Sequence, residues 1–181
     1  MIEVEKKCWV EDYDGLLRLL HERAEYCGET RKRDSYYIHK DYQPGEELKE
    51  SHKIFRLREA SGKQVVTYKE KTMRHGAEVN VEGEFEVSHG DVFRQFTQYI
   101  NYTPLVDKIK DVRLFQYRGI SLELVYLHGL GRFLEAEILC DKDSDIENAI
   151  NRISQCLSDF GLDSARVEER MYIDLLLDKS K

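Results

Sequence analysis

The sequence predicts an α+β protein: a closed antiparallel β-barrel of about eight strands, with helices packed on the outside. Three observations lead to this prediction. Short segments of alternating apolar and charged residues outnumber the helical segments and are joined mostly by tight turns. The charged residues of these segments are sorted into acidic rows and basic rows. The amphipathic helices need an apolar sheet surface to cover, which leaves the charged rows to face the inside of the barrel.

The composition is that of a single domain spanning residues 1–181. Charged residues make up 35% of the chain and hydrophobic residues 41%, and the net charge of −7 argues against general nucleic-acid binding. The four cysteines are widely spread and lack the spacing of a zinc site. No signal peptide or membrane-spanning run is recognised, so we expect a cytoplasmic protein with no membrane association.

The N-terminal segment shows the alternation on which the fold prediction rests. Within 1–9, Glu3, Glu5 and Lys7 share one face of the predicted strand. Apolar side chains occupy the other face, with Lys6 as the exception. The other segments with a strand-like pattern lie at 30–39, 54–59, 64–71, 82–87, 105–117, 120–127 and 133–139.

Helices are predicted where apolar residues recur every three to four positions. The first covers 12–26, with Asp12 or Asp14 as its cap and Gly28 after its end. The second begins at Gly90.

A third helix follows the last strand, capped by Ser144 or Asp145 and closed by Gly161. The apolar tail at 169–178 is predicted to dock on the body as a strand or a helix. The segment 41–51 holds a Pro-Gly pair and a cluster of charges, which predicts a solvated loop; a lid over the entrance of the barrel is the alternative.

The charged rows indicate what the interior binds. A solvated sheet face explains any one row, but such faces usually carry Thr, Ser and Gln among charges of mixed sign. Sets of carboxylates suit Mg²⁺ or Mn²⁺, and rows of arginine and lysine suit phosphate oxygens. The pattern therefore predicts a tunnel that binds a divalent cation and a chain of phosphates. The rows comprise Glu3, Glu5 and Lys7; Arg56 and Arg58; Lys69 and Lys71; Glu82, Glu84 and Glu86; Lys108 and Lys110; Glu123; and Glu135 and Glu137.

These residues resemble the motifs of the CYTH-domain family, the triphosphate tunnel metalloenzymes. The resemblance covers essentially the whole chain in order, and its implied fold is an eight-stranded antiparallel tunnel. The matching positions are Glu3, Glu5 and Lys7 of E-x-E-x-K, Asp34, Tyr36 and Tyr37 of D-x-Y-Y, Arg56 and Arg58 of R-x-R, Lys69 of T-Y-K, Lys108 and Lys110 of K-x-R, Leu130, Gly131, Phe133, Glu135 and Glu137 of LG-x-F-x-E-x-E, and Tyr172, Leu175 and Leu176 of the tail.

The resemblance implies a role for each of these side chains. The metal ligands for Mg²⁺ or Mn²⁺ would be Glu3, Glu5, Glu123, Glu135 and Glu137. The triphosphate-binding residues would be Lys7, Arg56, Arg58, Lys69, Lys108 and Lys110. The catalytic residues would be Tyr36, Arg56 and Lys69.

Three activities are compatible with this set of residues. The LG-x-F-x-E-x-E block and the tail favour a protein similar to class IV adenylyl cyclases, which convert ATP to cyclic AMP and pyrophosphate. A triphosphatase acting on thiamine triphosphate or inorganic triphosphate is the alternative. A non-catalytic module that binds polyphosphate or a nucleotide is the second alternative. In each case the partner is a small-molecule triphosphate, and a homodimer is compatible with the resemblance.

The chain departs from the family pattern at three positions. Glu123 stands where an aspartate is usual, Lys110 replaces an arginine, and Met171 replaces a serine. The lysine gives up the bidentate contact that a guanidinium makes with phosphate. Separately, four tyrosines are either stacking partners for a base or thiazole ring or ordinary strand residues. These are Tyr36, Tyr37, Tyr42 and Tyr68.

Overall fold

The computed structural model describes residues 2–43, 53–162 and 164–179. Most of the loop predicted at 41–51 lies outside these ranges. Within them, no helix combines the length and the apolar content needed to cross a membrane.

The described residues form one closed barrel of eight strands, which confirms the predicted fold class. Every pair of neighbouring strands is antiparallel. The order around the barrel is β1-β5-β4-β3-β2-β6-β7-β8. The strands are Ile2–Trp9 (β1), Glu25–His39 (β2), Ile54–Ala60 (β3), Lys63–Arg74 (β4), Ala77–Glu86 (β5), Tyr102–Tyr117 (β6), Ile120–Leu127 (β7) and Gly131–Cys140 (β8).

The α-helices of the described ranges are Tyr13–Arg23 (α1), Gly90–Tyr99 (α2), Ile146–Asp159 (α3) and Tyr172–Lys179 (α4). Helices α1 and α3 share a hydrophobic core with the outer faces of strands such as β1, β7 and β8. Lys6, the exception in the first strand, donates from Nζ to Ser154 Oγ on α3 at 3.0 Å. Its charge thus lies at the edge of this apolar contact.

Helix α2 covers another part of the outer surface. Phe93 of α2 packs with Tyr37, Leu57 and Val66, which point outwards from β2, β3 and β4. The outer face of the barrel is therefore apolar beneath the helices. This leaves the alternate positions of the strands to line the interior.

Several predicted boundaries were wrong for identifiable reasons. Helix α1 ends at Arg23, and Gly28 lies within β2, where it occupies a bulge with φ of +113°. Asp12 caps α1 by accepting from the Gly15 backbone N–H at 2.9 Å. At α3 the predicted cap is incomplete, because the Asp145 side chain makes no capping hydrogen bond.

Three strands begin three or more residues earlier than predicted. Strand β2 starts at Glu25 rather than at 30, and its first residue pairs with Gln116 of β6. Strand β5 starts at Ala77 rather than at 82, and strand β6 starts at Tyr102 rather than at 105. Pro104 lies in the added part of β6, where the register with β2 shifts between Tyr36 and Tyr37. Such an irregularity is one of the places where a strand tolerates proline.

The tail is a helix that packs at one end of the barrel. Before α4, Val167 bridges Cys8, and the Glu168 N–H donates to the Lys7 carbonyl at 2.8 Å. These contacts lie beside the part of β1 that continues beyond its pairing with β5. Tyr172 and Leu175 of α4 then pack in an apolar cluster. Its other buried members are Val112, Val125, Leu127 and Phe133.

Candidate functional site

Side-chain contacts between non-adjacent strands show that the charged rows face the interior. Lys110 of β6 donates to both oxygens of Glu135 on β8, at 2.8 and 2.7 Å, although β7 lies between these strands. Lys69 of β4 reaches Glu3 on β1 at 2.9 Å across β5. Such contacts require side chains that project into the same bore.

The bore is closed towards α4 and more open at its other end. Lys7, Lys108 and Lys110 are nearly fully buried beside Tyr172. Each ammonium group lies 5.4 to 5.5 Å from the centre of the Tyr172 ring. In contrast, the side chain of Glu84 is 51% exposed. We call the Tyr172 side the closed end and the Glu84 side the mouth.

Asp34 joins three of the basic side chains on one wall. It is completely buried and accepts from Arg58 Nε and Nη2 at 2.7 and 2.9 Å. Its carboxylate also lies 3.0 Å from Lys108 Nζ and 3.6 Å from Arg56 Nη1. Burial alone would raise the pKa of Asp34, but these three cations outweigh it and hold the pKa well below its usual range.

The carboxylates of the opposite wall are crowded. Burial, together with the charges of Glu135 and Glu78, raises the pKa of Glu5 to about 8. Burial and the charges of Glu3 and Glu123 raise the pKa of Glu137 to about 7. These two side chains therefore lack enough positive charge around them.

Glu135 is better compensated than its neighbours. Burial acts to raise its pKa, but the Lys110 ammonium overcomes this and lowers the pKa to about 2. Lys7 forms an ion pair with Glu78, and Lys69 forms one with Glu82. Part of the acidic wall is thus neutralised by lysines, and part of it is not.

This wall fits a hard divalent cation. The two raised pKa values mark carboxylates that a cation would stabilise. Asn80 adds a completely buried amide whose Oδ1 has no hydrogen-bond partner among the described residues, while its Nδ2 donates to Glu3 at 3.2 Å. Oxygen donors of this kind suit Mg²⁺ and Mn²⁺. In the described ranges, however, the carboxylates do not converge as a ready-made group of three or more.

Tyr36 projects into the bore, whereas two of the other tyrosines do not. Its hydroxyl accepts from Lys108 Nζ at 2.9 Å. Burial would raise the pKa of Tyr36, but the Lys108 charge outweighs it and lowers the pKa. Tyr37 stacks on Phe55 beneath α2, and Tyr68 lies exposed on the outer face. Neither of these outward-facing rings can stack on a ligand in the tunnel.

Every residue predicted to bind metal or triphosphate lies within the barrel wall, and most of them meet in the ion pairs described above. Sequence reasoning missed other side chains of the bore. Glu78 and Asn80 belong to the part of β5 that was not predicted. Lys32 projects inwards from β2 and donates to Glu123 Oε1 at 2.5 Å. The signal for Lys32 was its position two residues before Asp34 on an alternating strand.

The fold and the site define a β-tunnel protein whose bore has opposed acidic and basic walls. The sequence then identifies the family: the chain belongs to the CYTH domain family, whose sequence profile matches residues 1–172. Comparison with curated protein sequences finds no significant match.

Solved structures share the fold over nearly the whole chain. A protein from Pyrococcus horikoshii OT3 aligns with a TM-score of 0.83 and 23% identity, covering 98% of this chain and 99% of the other. A Vibrio parahaemolyticus protein described as a candidate adenylate cyclase has a TM-score of 0.81 and 20% identity, covering 97% and 98%. A Hippeastrum protein, described as a candidate adenylyl cyclase with a dominant triphosphatase activity, has a TM-score of 0.65 and 13% identity, covering 98% and 95%.

Proposed function

We propose that the protein is a metal-dependent triphosphatase that cleaves the terminal phosphoanhydride bond of a triphosphate bound in the tunnel. The observation that carries this proposal is the closed end, where Lys7, Lys108 and Lys110 surround the ring of Tyr172. A chain of phosphates inserted from the mouth would place its terminal phosphoryl group among these ammonium groups. An organic group, where the substrate has one, would remain at the mouth.

The basic wall is suited to hold the phosphate chain. Arg56 Nε is buried and has no hydrogen-bond partner among the described residues, so it has a donor to offer. Arg56 and Arg58 offer planar guanidinium groups to phosphate oxygens, and Asp34 fixes the Arg58 side chain. Lys69 adds a single positive charge, which Glu3 and Glu82 now neutralise.

The acidic wall would hold one or two Mg²⁺ or Mn²⁺ ions through Glu3, Glu5, Glu123, Glu135 and Glu137. When bound, such an ion polarises phosphoryl oxygens and screens their charge. Binding of the cation would also favour the ionised forms of Glu5 and Glu137, whose pKa values are raised to about 8 and about 7.

The hydrolytic step needs a group that accepts a proton from the attacking water. The candidates are Tyr36 and Lys69. The carboxylates around Lys69 overcome the effect of burial and raise its pKa, which keeps it protonated and disfavours it as a base. Lys108 favours the ionised form of Tyr36. Tyr36 would take the proton while water forms a bond to the terminal phosphorus and the bond to the bridging oxygen breaks, releasing orthophosphate.

Cyclisation of ATP is the second candidate. The LG-x-F-x-E-x-E block favours it, and the Vibrio parahaemolyticus neighbour is described as a candidate adenylate cyclase. Tyr37 and Tyr68 face outwards and so provide no stacking surface for a base or a thiazole ring in the bore. Hydrolysis at the terminal phosphorus is preferred because, unlike cyclisation, it does not require the organic group to be held in a fixed position. The triphosphatase activity described for the Hippeastrum protein is consistent with this preference.

Product analysis distinguishes these activities. The protein is incubated separately with inorganic triphosphate, thiamine triphosphate and ATP, each with Mg²⁺ or Mn²⁺, and the products are separated by chromatography. Release of orthophosphate supports the triphosphatase, whereas cyclic AMP with pyrophosphate refutes it in favour of the cyclase. Binding without any product indicates a non-catalytic module. Arg56→Ala and Glu5→Gln should abolish turnover, while Arg113→Ala serves as a control for loss of a partly exposed arginine outside the proposed site.

A further inference from the structure

Lys32 occupies a position in the bore for which the proposed set of ligands gives no role. It is the register partner of Lys110 across β2 and β6, so the two side chains lie next to each other on the same wall. They approach the two oxygens of one carboxylate, because Lys32 Nζ lies 2.5 Å from Glu123 Oε1 and Lys110 Nζ lies 3.6 Å from Glu123 Oε2. Two ammonium groups therefore bracket Glu123.

The inward orientation of Lys32 is costly for a lysine. Its side chain is only 14% exposed, whereas those of its neighbours Arg31 and Arg33 are 64% and 54% exposed on the outer surface. An ammonium group in the bore loses much of its hydration, and this loss is offset only by a partner of opposite charge. Glu123 is the partner that the described contacts give to Lys32.

Binding of a metal ion would change this pairing. Glu123 and Glu135 are both candidate metal ligands, and they now neutralise Lys32 and Lys110 respectively. Once these carboxylates turn towards a cation, both ammonium groups need a new anionic partner. A phosphoryl group held between them would fill that need, with each lysine supplying one donor.

We propose that Lys32 is an additional substrate-binding residue that, together with Lys110, brackets one phosphoryl group of the triphosphate. This inference rests on the proposed function. Lys32 precedes Asp34 by two residues on β2, which places it about 6.6 to 6.8 Å along the strand. That displacement leads away from Tyr36 and the closed end. Lys32 thus contacts this phosphoryl group from the mouth side, whereas Lys110 contacts it from the side of the closed end.

The direct test compares Lys32→Met with wild type by calorimetric titration of inorganic triphosphate at a fixed Mg²⁺ concentration. Loss of one charge-assisted contact should weaken triphosphate binding by about tenfold or more. Wild-type affinity for triphosphate in Lys32→Met would overturn the inference.

A double-variant comparison separates a phosphate contact from mere neutralisation of Glu123. If Lys32 serves only as a counterion, Lys32→Met should have no effect once Glu123→Gln has removed the charge. If Lys32 contacts phosphate, Lys32→Met/Glu123→Gln should still bind triphosphate about tenfold more weakly than Glu123→Gln alone. Lys32→Arg, which keeps the charge, should retain most of the affinity. Thermal melting of each variant checks that the fold is intact.

The controls distinguish failure of this inference from failure of the proposed function. Arg31→Met removes an exposed positive charge next to Lys32 in sequence and should leave triphosphate affinity unchanged. Lys110→Met and Arg58→Met should weaken binding if the tunnel holds triphosphate. Loss in these two variants with wild-type affinity in Lys32→Met would refute the inference alone. No binding by the wild-type protein would refute the proposed function as well.

Discussion

Replacement of Asp34 tests most directly whether this carboxylate neutralises the basic wall of the tunnel. Asp34→Asn keeps the shape of the side chain and removes its charge. The amide retains one acceptor oxygen, but Arg58, Lys108 and Arg56 then share a wall without their common counterion. Leaving such charges buried and uncompensated costs about 3–5 kcal/mol in comparable systems.

The expected magnitude is large enough for a clear measurement. For a domain of this size, 1 kcal/mol corresponds to roughly 2–4 °C in melting temperature, so Asp34→Asn should lower it by roughly 6–20 °C. Urea denaturation at pH 7 gives the free energy of unfolding directly. Inorganic triphosphate should restore part of the loss, because its phosphates supply the missing negative charge to the same cations.

A matched substitution on the outer surface provides the control. Asp107 pairs with Arg33 at 2.9 Å, but its side chain is 47% exposed. Asp107→Asn should therefore change stability by no more than about 1 kcal/mol. If Asp34→Asn is no more destabilising than Asp107→Asn, the basic wall does not depend on Asp34 and the reasoning is wrong.

Three further predictions concern the carboxylates, the closed end and the metal. Without divalent metal, the free energy of unfolding should fall as pH rises from about 4.5 to about 8, because the folded state holds protons on Glu5 and Glu137 that the unfolded chain has released. Urea denaturation across that pH range measures this dependence, and Glu5→Gln should flatten it. Tyr172→Leu should raise KM for triphosphate by roughly 2- to 30-fold through loss of the cation–π contacts, while Tyr172→Phe keeps the ring and should stay near wild type. In calorimetric titrations, Mg²⁺ should raise the affinity for triphosphate, and triphosphate should raise the affinity for Mg²⁺ by the same factor. Independent affinities would contradict the idea that metal and phosphate together replace the lysine–carboxylate ion pairs of the bore.

The alternation of strands explains why most of the candidate site was predictable from sequence. In segments such as 55–58, charged and apolar residues alternate strictly, so the two faces separate clearly. Lys32 was missed because residues 31–34 are all charged, so polarity alone does not distinguish the inward-facing residues from the outward-facing ones. Glu78 and Asn80 were missed because the start of β5 was placed too late.

The ion pairs themselves were beyond sequence reasoning. Lys110 meets Glu135 across an intervening strand, and this meeting depends on the stagger of strands that closes the barrel. A shift of one residue in any register would turn one row outwards. The sequence specifies the sign and the face of each row, whereas the closed barrel decides which acid meets which base.

The pairing observed in the bore explains how so many charges are tolerated before a ligand binds. Lysines of the basic rows form ion pairs with carboxylates that are candidate metal ligands, such as Lys69 with Glu3 and Lys110 with Glu135. A metal cation that binds the carboxylates breaks these ion pairs and leaves the lysines without a counterion. A polyanion that binds the lysines leaves the carboxylates without one. Either ligand alone would therefore leave buried charge of one sign without compensation, which is unfavourable in a site of low dielectric. A metal ion and a phosphate chain entering together keep both walls neutralised, so this arrangement of charges selects for their complex.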